Sequence, residues 1–143
     1  MRVKFNVRYQ GRARTASEAA AKAVFQILNA RFQAALRSPV YSWPNETIRS
    51  NGQVAGTTRN IVDTANLFQS NTGPEISGLR VRYAWRTPYA TAVHEGYELK
   101  NGRVMPARPW TSAVLGTESV DGIEPYDYRK AFRDIWLAKF KGR

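Results

Sequence analysis

The chain of 143 residues contains no cysteine and a single histidine, His94. Without cysteine there is no disulfide and no thiolate metal site, a composition that suits a reducing compartment. With one histidine, a transition-metal site would have to be built from carboxylates alone. His94 sits in His94-Glu95-Gly96, and Glu98 occupies the place where a helical zinc-protease pair needs its second histidine. No glycine-rich run ends in Gly-Lys-Ser/Thr, so there is no phosphate loop. No serine lies in a nucleophile elbow, although a serine–histidine–carboxylate set is spatial and stays open at this level. Long apolar runs are also missing. Nothing approaches the roughly 20 residues of a membrane span, and the opening MRVKFNVRYQ alternates where a signal segment would run apolar. These absences leave no catalytic residue to name and predict no metal, no cofactor and no membrane partner; a small hydrolase would need His94 beside a serine or carboxylate in a pocket.

Acidic residues are scarce as well. Eleven Asp/Glu stand against 22 Lys/Arg, for a net charge of +11. The excess is uneven. Met1–Arg37 carries eight basic residues and one acid, whereas from Gly116 onward six basic residues face five acids. Such an imbalance points to a polyanion or an acidic protein surface as neighbour and says nothing of fold. A solvated, solubilising surface explains it equally well. No helix-turn-helix, zinc-finger or aromatic RNA-binding signature is present, so any DNA contact would be electrostatic and blind to sequence.

The length suits one domain with a real core, and 43% hydrophobic residues is ordinary globular usage. Val3, Phe5, Val7 and Tyr9 alternate with polar and basic residues, which predicts a strand. Thr15-Ala16-Ser17-Glu18 reads as a capping box with Thr15 as N-cap. The helix it predicts over Thr15–Arg37 carries Ala21, Val24, Phe25, Leu28, Phe32, Ala35 and Leu36 on one stripe, expected to cover a sheet. Residues 38–60, with Pro39, Pro44, Asn51-Gly52 and Gly56, predict a long loop anchored by Trp43, with a weak hairpin of Thr47–Ser50 and Gln53–Ala55. Asp63 and Thr64 are candidate caps for a short helix through Leu67 and Phe68, broken by Thr72-Gly73-Pro74. Leu79, Val81, Tyr83 and Trp85 alternate with Arg80, Arg82 and Arg86, a second amphipathic strand. Pro125 opens a C-terminal helix with Phe132, Ile135, Trp136 and Phe140 in a stripe and a basic last turn.

Between these lies the richest stretch, Thr87–Leu115. Thr87 and Pro88 suit the start of a short helix over Tyr89–Glu95, and Gly96 suits a left-handed C-cap. Asn101-Gly102 predicts a two-residue hairpin turn between Tyr97–Lys100 and Arg103–Met105. Met105-Pro106-Ala107-Arg108-Pro109-Trp110 is stiffened by its two prolines, and a further helix follows to Leu115. The fold class is therefore α+β: a small, mostly antiparallel sheet on one long N-terminal helix, with short helices, a projecting hairpin arm at 97–105 and a C-terminal helix, all in a single domain over 1–143.

The run YATAVHEGY, a variable hairpin and then MPARPWTSAV resembles the tail-completion or head–tail joining (neck) proteins of long-tailed bacteriophages. Upstream, RNIVDTANLFQS resembles the same family's DTG-x-L-x-x-S segment, with Ala65 where glycine is usual. Together the two motifs cover about the middle third of the chain. The resemblance implies a structural virion protein, assembled in the host cytoplasm, that completes or terminates the tail and joins it to the head. It implies a cyclic homo-oligomer, sixfold with a twelvefold alternative, that meets connector and tail-tube proteins and touches phage DNA transiently. Such an oligomer needs a head-to-tail contact that closes by rotation. Tyr97, Leu99, Lys100, Arg103, Val104, Met105, Arg108, Trp110 and Trp43 are the expected subunit-interface residues. Trp, Tyr and Arg are enriched in interface hot spots, and the same mixture could stack bases. Arg2, Lys4, Arg8, Arg80, Arg82 and Arg86 are the expected DNA-facing residues if they share one side of the sheet. The alternative is a basic, sequence-nonspecific DNA-binding accessory protein.

Overall fold

A computed structural model describes residues 7–42, 47–48, 52, 54–55 and 66–142. The architecture is α+β, with one long N-terminal helix and, among the described residues, four shorter helices and three two-stranded antiparallel hairpins. Helix α1, Val7–Leu36, runs for 30 residues, about 45 Å at 1.5 Å per residue.

The start of α1 departs from the sequence expectation. Val7–Gln10, expected as the end of a strand, are helical, and residues 1–6 lie outside the described residues. The alternation there is only a few residues long. The adjoining run, with alanine at 13, 16, 19, 20, 21 and 23, is a strong helix former, and helix propagation adds a hydrogen bond for each residue fixed. The capping box is overridden for the same reason. Thr15 lies inside the helix and its hydroxyl donates to the Gly11 carbonyl at 3.0 Å. Glu18 accepts from Arg14 Nε at 3.0 Å one turn away. A threonine within a helix cannot take the non-helical backbone that an N-cap needs.

The stripe itself is as expected. Ala21, Val24, Leu28, Phe32, Ala35 and Leu36 are buried, Ala16 and Ala20 extend the stripe toward the N-terminus, and Phe25 is half-buried. Its main cover is helical. Helix α1 packs most extensively on the C-terminal helix, Tyr128–Phe140, and next on Trp110–Leu115. The C-terminal helix runs antiparallel to α1. Arg12 Nη2 donates to the Phe140 carbonyl at 2.8 Å, Trp136 Nε1 donates to Ser17 Oγ at 3.0 Å, and the Arg31 guanidinium lies 5.4 Å from the Tyr126 ring centre. Ala16, Ala20 and Ala21 are buried on the same stretch of α1. Asp127, not Pro125, caps the helix, its carboxylate accepting from Lys130 N at 2.9 Å. Phe132, Ile135, Trp136 and Phe140 are partly buried on its inner side, with Trp136 and Phe140 stacked at 4.8 Å.

After α1, Ser38 caps a 3-10 turn, Pro39–Tyr41, whose Tyr41 is buried. Burial, with a contribution from the Glu118 charge, pushes the Tyr41 hydroxyl up to about 12. Trp43, the expected anchor, lies outside the described residues. The weak hairpin forms, as β1 (Thr47–Ile48) against β2 (Val54–Ala55), with Thr47 opposite Ala55. Asp63, Thr64 and Ala65 also lie outside the described residues. A one-turn helix, α2 (Asn66–Gln69), buries Leu67, and Phe68 takes the Arg37 guanidinium 3.6 Å from its ring centre.

The second expected strand is β4 (Arg80–Arg82), paired with β3 (Glu75–Ser77), with Ile76 opposite Val81. Pairing resumes beyond Pro74: Thr72 N donates to Ala84 O at 2.9 Å, and Arg86 N to Ser70 O at 3.1 Å. This extended segment is what lies on α1. Tyr83 and Trp85 meet Phe32 edge-on, with ring centres 5.0 and 6.1 Å apart. The Tyr83 hydroxyl donates to the Phe25 carbonyl at 2.8 Å, and burial pushes it up to about 12. No helix among the described residues is long and apolar enough to cross a membrane.

Candidate assembly surface

Helix α3 (Ala90–Glu95), the β5–β6 hairpin (Tyr97–Glu98 and Val104–Met105) and helix α4 (Trp110–Leu115) form one continuous unit. Thr87 does not cap α3 through its side chain. Its carbonyl accepts from Ala90 N at 3.1 Å, and its buried hydroxyl has no partner among the described residues. Gly96 ends α3 at φ 77° and ψ 164°, an extended positive-φ conformation rather than the left-handed helical one expected. A Cβ at Gly96 would lie 2.7 Å from Ala107 N and 2.8 Å from Met105 O. The chain leaving the hairpin therefore presses directly on the Gly96 backbone. It is fixed there by Arg108 N, which donates to the carbonyls of Val93 and His94, each at 3.1 Å.

The hairpin pairs Tyr97 with Met105 and Glu98 with Val104. Its turn differs from the expected two-residue form. Leu99 N donates to Arg103 O at 2.7 Å, and Gly102 N to Leu99 O at 2.9 Å, so three residues, Lys100-Asn101-Gly102, form the loop. Gly102 at φ 77° ends a tight turn, the geometry of the three-residue hairpin with a glycine bulge. Asn101 Oδ1 accepts from Arg103 N at 3.1 Å and locks it. The asparagine–glycine signal located the turn, and the third residue came from the glycine's bulge.

The expected contact residues divide into two groups. Tyr97, Lys100, Arg103 and Val104 are exposed, Val104 at 64%, while Leu99 and Met105 are half-buried. Arg108 and Trp110 are interior, at 8% and 2% exposure, so neither presents its side chain as an open contact surface. Aromatic and arginine residues mark interface hot spots and interiors alike, which is why composition alone could not separate them.

Trp110 packs edge-on to Trp85 at 5.4 Å and to His94 at 4.8 Å. Between α3 and α4 these rings, with Thr91, Thr111 and Glu95, bound a cleft of about 210 Å³. His94 Nε2 is hydrogen-bonded to Thr111 Oγ1 at 2.8 Å, which fixes the ring against α4. Burial lowers the His94 pKa from its ordinary value, partly offset by the charges of Glu95 and Glu118. A hydroxyl beside an imidazole is half of a nucleophile–base arrangement, but no carboxylate orients the other ring nitrogen among the described residues. No group of three or more His, Asp or Glu among them is arranged to hold a metal ion. Thr111, Trp85 and Glu118 were not foreseen as neighbours of His94. Thr111 is 17 residues from His94, and no local pattern reports a contact across that separation.

The described members of the expected DNA-facing set do not all belong to one sheet. Arg80 and Arg82 are exposed together on β4, with half-buried Val81 pointing the other way. Arg86 is exposed and 4.0 Å from Glu75, a loose surface pair that contributes little. Arg8, however, belongs to α1, and Arg2 and Lys4 lie outside the described residues. The common sheet that was to gather them is absent at Arg8, because helix α1 extends through that position.

Comparison with protein-family models, with curated proteins and with solved structures yields no match.

Proposed function

We propose that this chain is a structural virion protein of a tailed bacteriophage, forming a ring at the neck or tail top that completes or terminates the tail and joins it to the head. The observation that carries this reading is the β5–β6 hairpin. Its strands are two residues each, Tyr97 and Val104 are exposed on it, and its base is clamped by Gly96 and Arg108 N against α3. A two-stranded hairpin alone is marginal in water, so a rigidly rooted one with exposed apolar side chains is suited to a neighbouring subunit. The residues that carry the resemblance, YATAVHEGY and MPARPWTSAV, are the ones that build this root. Its place is then the virion, with connector and tail-tube proteins above and below the ring.

Electron microscopy of the purified protein tests this. Closed rings with a central channel are the expected result, and single copies at every concentration reached would overturn it.

A second reading, a DNA-binding accessory protein, draws on Arg80, Arg82 and Arg86, which are exposed along one extended segment. Passage of DNA through a ring requires weak contact. The protein should therefore bind duplex poorly near an ionic strength of about 0.15 M. Tight binding by single copies at that salt would favour the second reading.

A further inference from the structure

The cleft between α3 and α4 has a composition unlike the rest of this basic chain. Half-buried Trp85 is the indole it exposes, since Trp110 in its lining is only 2% exposed, and the exposed carboxylate of Glu95 stands at its rim. Glu118 is not part of the lining, but its backbone N donates to Ser112 O at 3.3 Å, next in the chain to Thr111 of the cleft, and its charge acts on His94, so a second carboxylate lies near the cleft. Neither Glu95 nor Glu118 forms an ion pair among the described residues. His94, drawn toward its neutral form by burial, adds little opposing charge. Aromatic rings beside carboxylates attract a cation carried on an apolar stem, as lysine and arginine side chains are. At about 210 Å³ the cleft is smaller than the roughly 300–1,000 Å³ of small-molecule sites and suits a single long side chain.

The hairpin tip offers such side chains. Lys100 and Arg103 flank the Asn101-Gly102 turn, both are exposed, and neither forms an ion pair among the described residues. The tip stands about 10 Å beyond the hairpin base, at roughly 3.3 Å per residue. Neither side chain lines its own chain's cleft. The tip therefore does not fill the cleft of its own copy.

Resting on the ring reading above, we propose that the α3–α4 cleft is the socket for the Lys100–Arg103 hairpin tip of a second copy of this chain. The contact is heterologous, tip to socket, the kind that closes into a ring.

The test uses two variants of the full chain and native mass spectrometry. The tip variant carries Lys100→Glu and Arg103→Glu, and the socket variant carries Glu95→Lys and Glu118→Lys. Each alone should need at least about thirtyfold more protein to assemble, the effect of opposing like charges in a contact. Mixed one to one, they should assemble again in alternation, because every tip then meets a socket of opposite sign. All four positions are exposed and form no ion pair among the described residues, so both variants should melt with the parent. Should either not fold, Arg103→Gln and Glu95→Gln take their places, each again expected to weaken assembly. Variants that assemble like the parent, or a mixture that stays apart, would overturn the socket while leaving the ring standing. A parent chain that never assembles would overturn both.

Discussion

Gly96 and Ala107 touch backbone to backbone. A Cβ on Gly96 would come within 2.7 Å of Ala107 N. The contact joins the C-terminal end of α3 to the chain that returns from the hairpin, so both the position and the angle of the arm depend on a residue without a side chain.

Gly96→Ala should therefore be costly twice over. Its φ of 77° with ψ 164° is a conformation essentially restricted to glycine, worth about 1–3 kcal/mol, and the added carbon meets backbone that cannot move aside. Chemical denaturation should show a loss of at least about 2 kcal/mol. A variant with parental stability would mean that the hairpin base is not held as described.

Phe32 is the next test, because it joins α1 to the extended segment through Tyr83 and Trp85. At 2% exposure, its truncation to alanine should cost on the order of 3–5 kcal/mol in the same denaturation experiment. Parental melting would show that the buried face of α1 is misassigned.

How much of this was legible in the sequence depended on distance along the chain. The stripe from Ala21 to Leu36 and that from Phe132 to Phe140 follow one helix period each, and both face inward. Asn101-Gly102 marked the hairpin because turn chemistry is local. Three features escaped. At Val7 and Tyr9 the alternation was too short to outweigh the alanine-rich helix beside it. Strand β3 is three residues with one apolar side chain, Ile76, too short for its alternation to stand out in the sequence. The cluster of Trp85, His94, Trp110 and Thr111 is assembled by tertiary packing, so Trp110 read as a surface anchor until its burial was visible.

The His94 pair makes stability depend on pH. Burial lowers its pKa below the ordinary 6.5, so between the folded value and 6.5 the unfolded chain binds more protons. Its contribution is complete above pH 6.5 and declines as pH falls through that window. Parent protein should thus lose stability between pH 7.5 and 5.5 by more than a His94→Gln variant does. Equal slopes in the two proteins, measured by urea denaturation at each pH, would show that His94 titrates as it would in water.

The hairpin's role in assembly is open to a direct deletion. Replacing Glu98–Val104 with a short Gly-Ser link removes the tip cations and Val104 but leaves α1, α4 and the C-terminal helix, Tyr128–Phe140, untouched. The deleted residues lie outside the buried core, so the shortened chain should fold and melt close to the parent. Tyr97 and Met105 would remain, with Gly96 still against Ala107 and Arg108 N still on the α3 carbonyls. What should disappear is the contact between copies. Purified protein should no longer form rings under the electron microscope, and in a phage carrying the deletion a lysate should accumulate separate heads and tails. Normal rings and normal yields of infectious particles from the deleted form would show that the arm is not the joining element, and the contact would then have to be sought on another face of the domain.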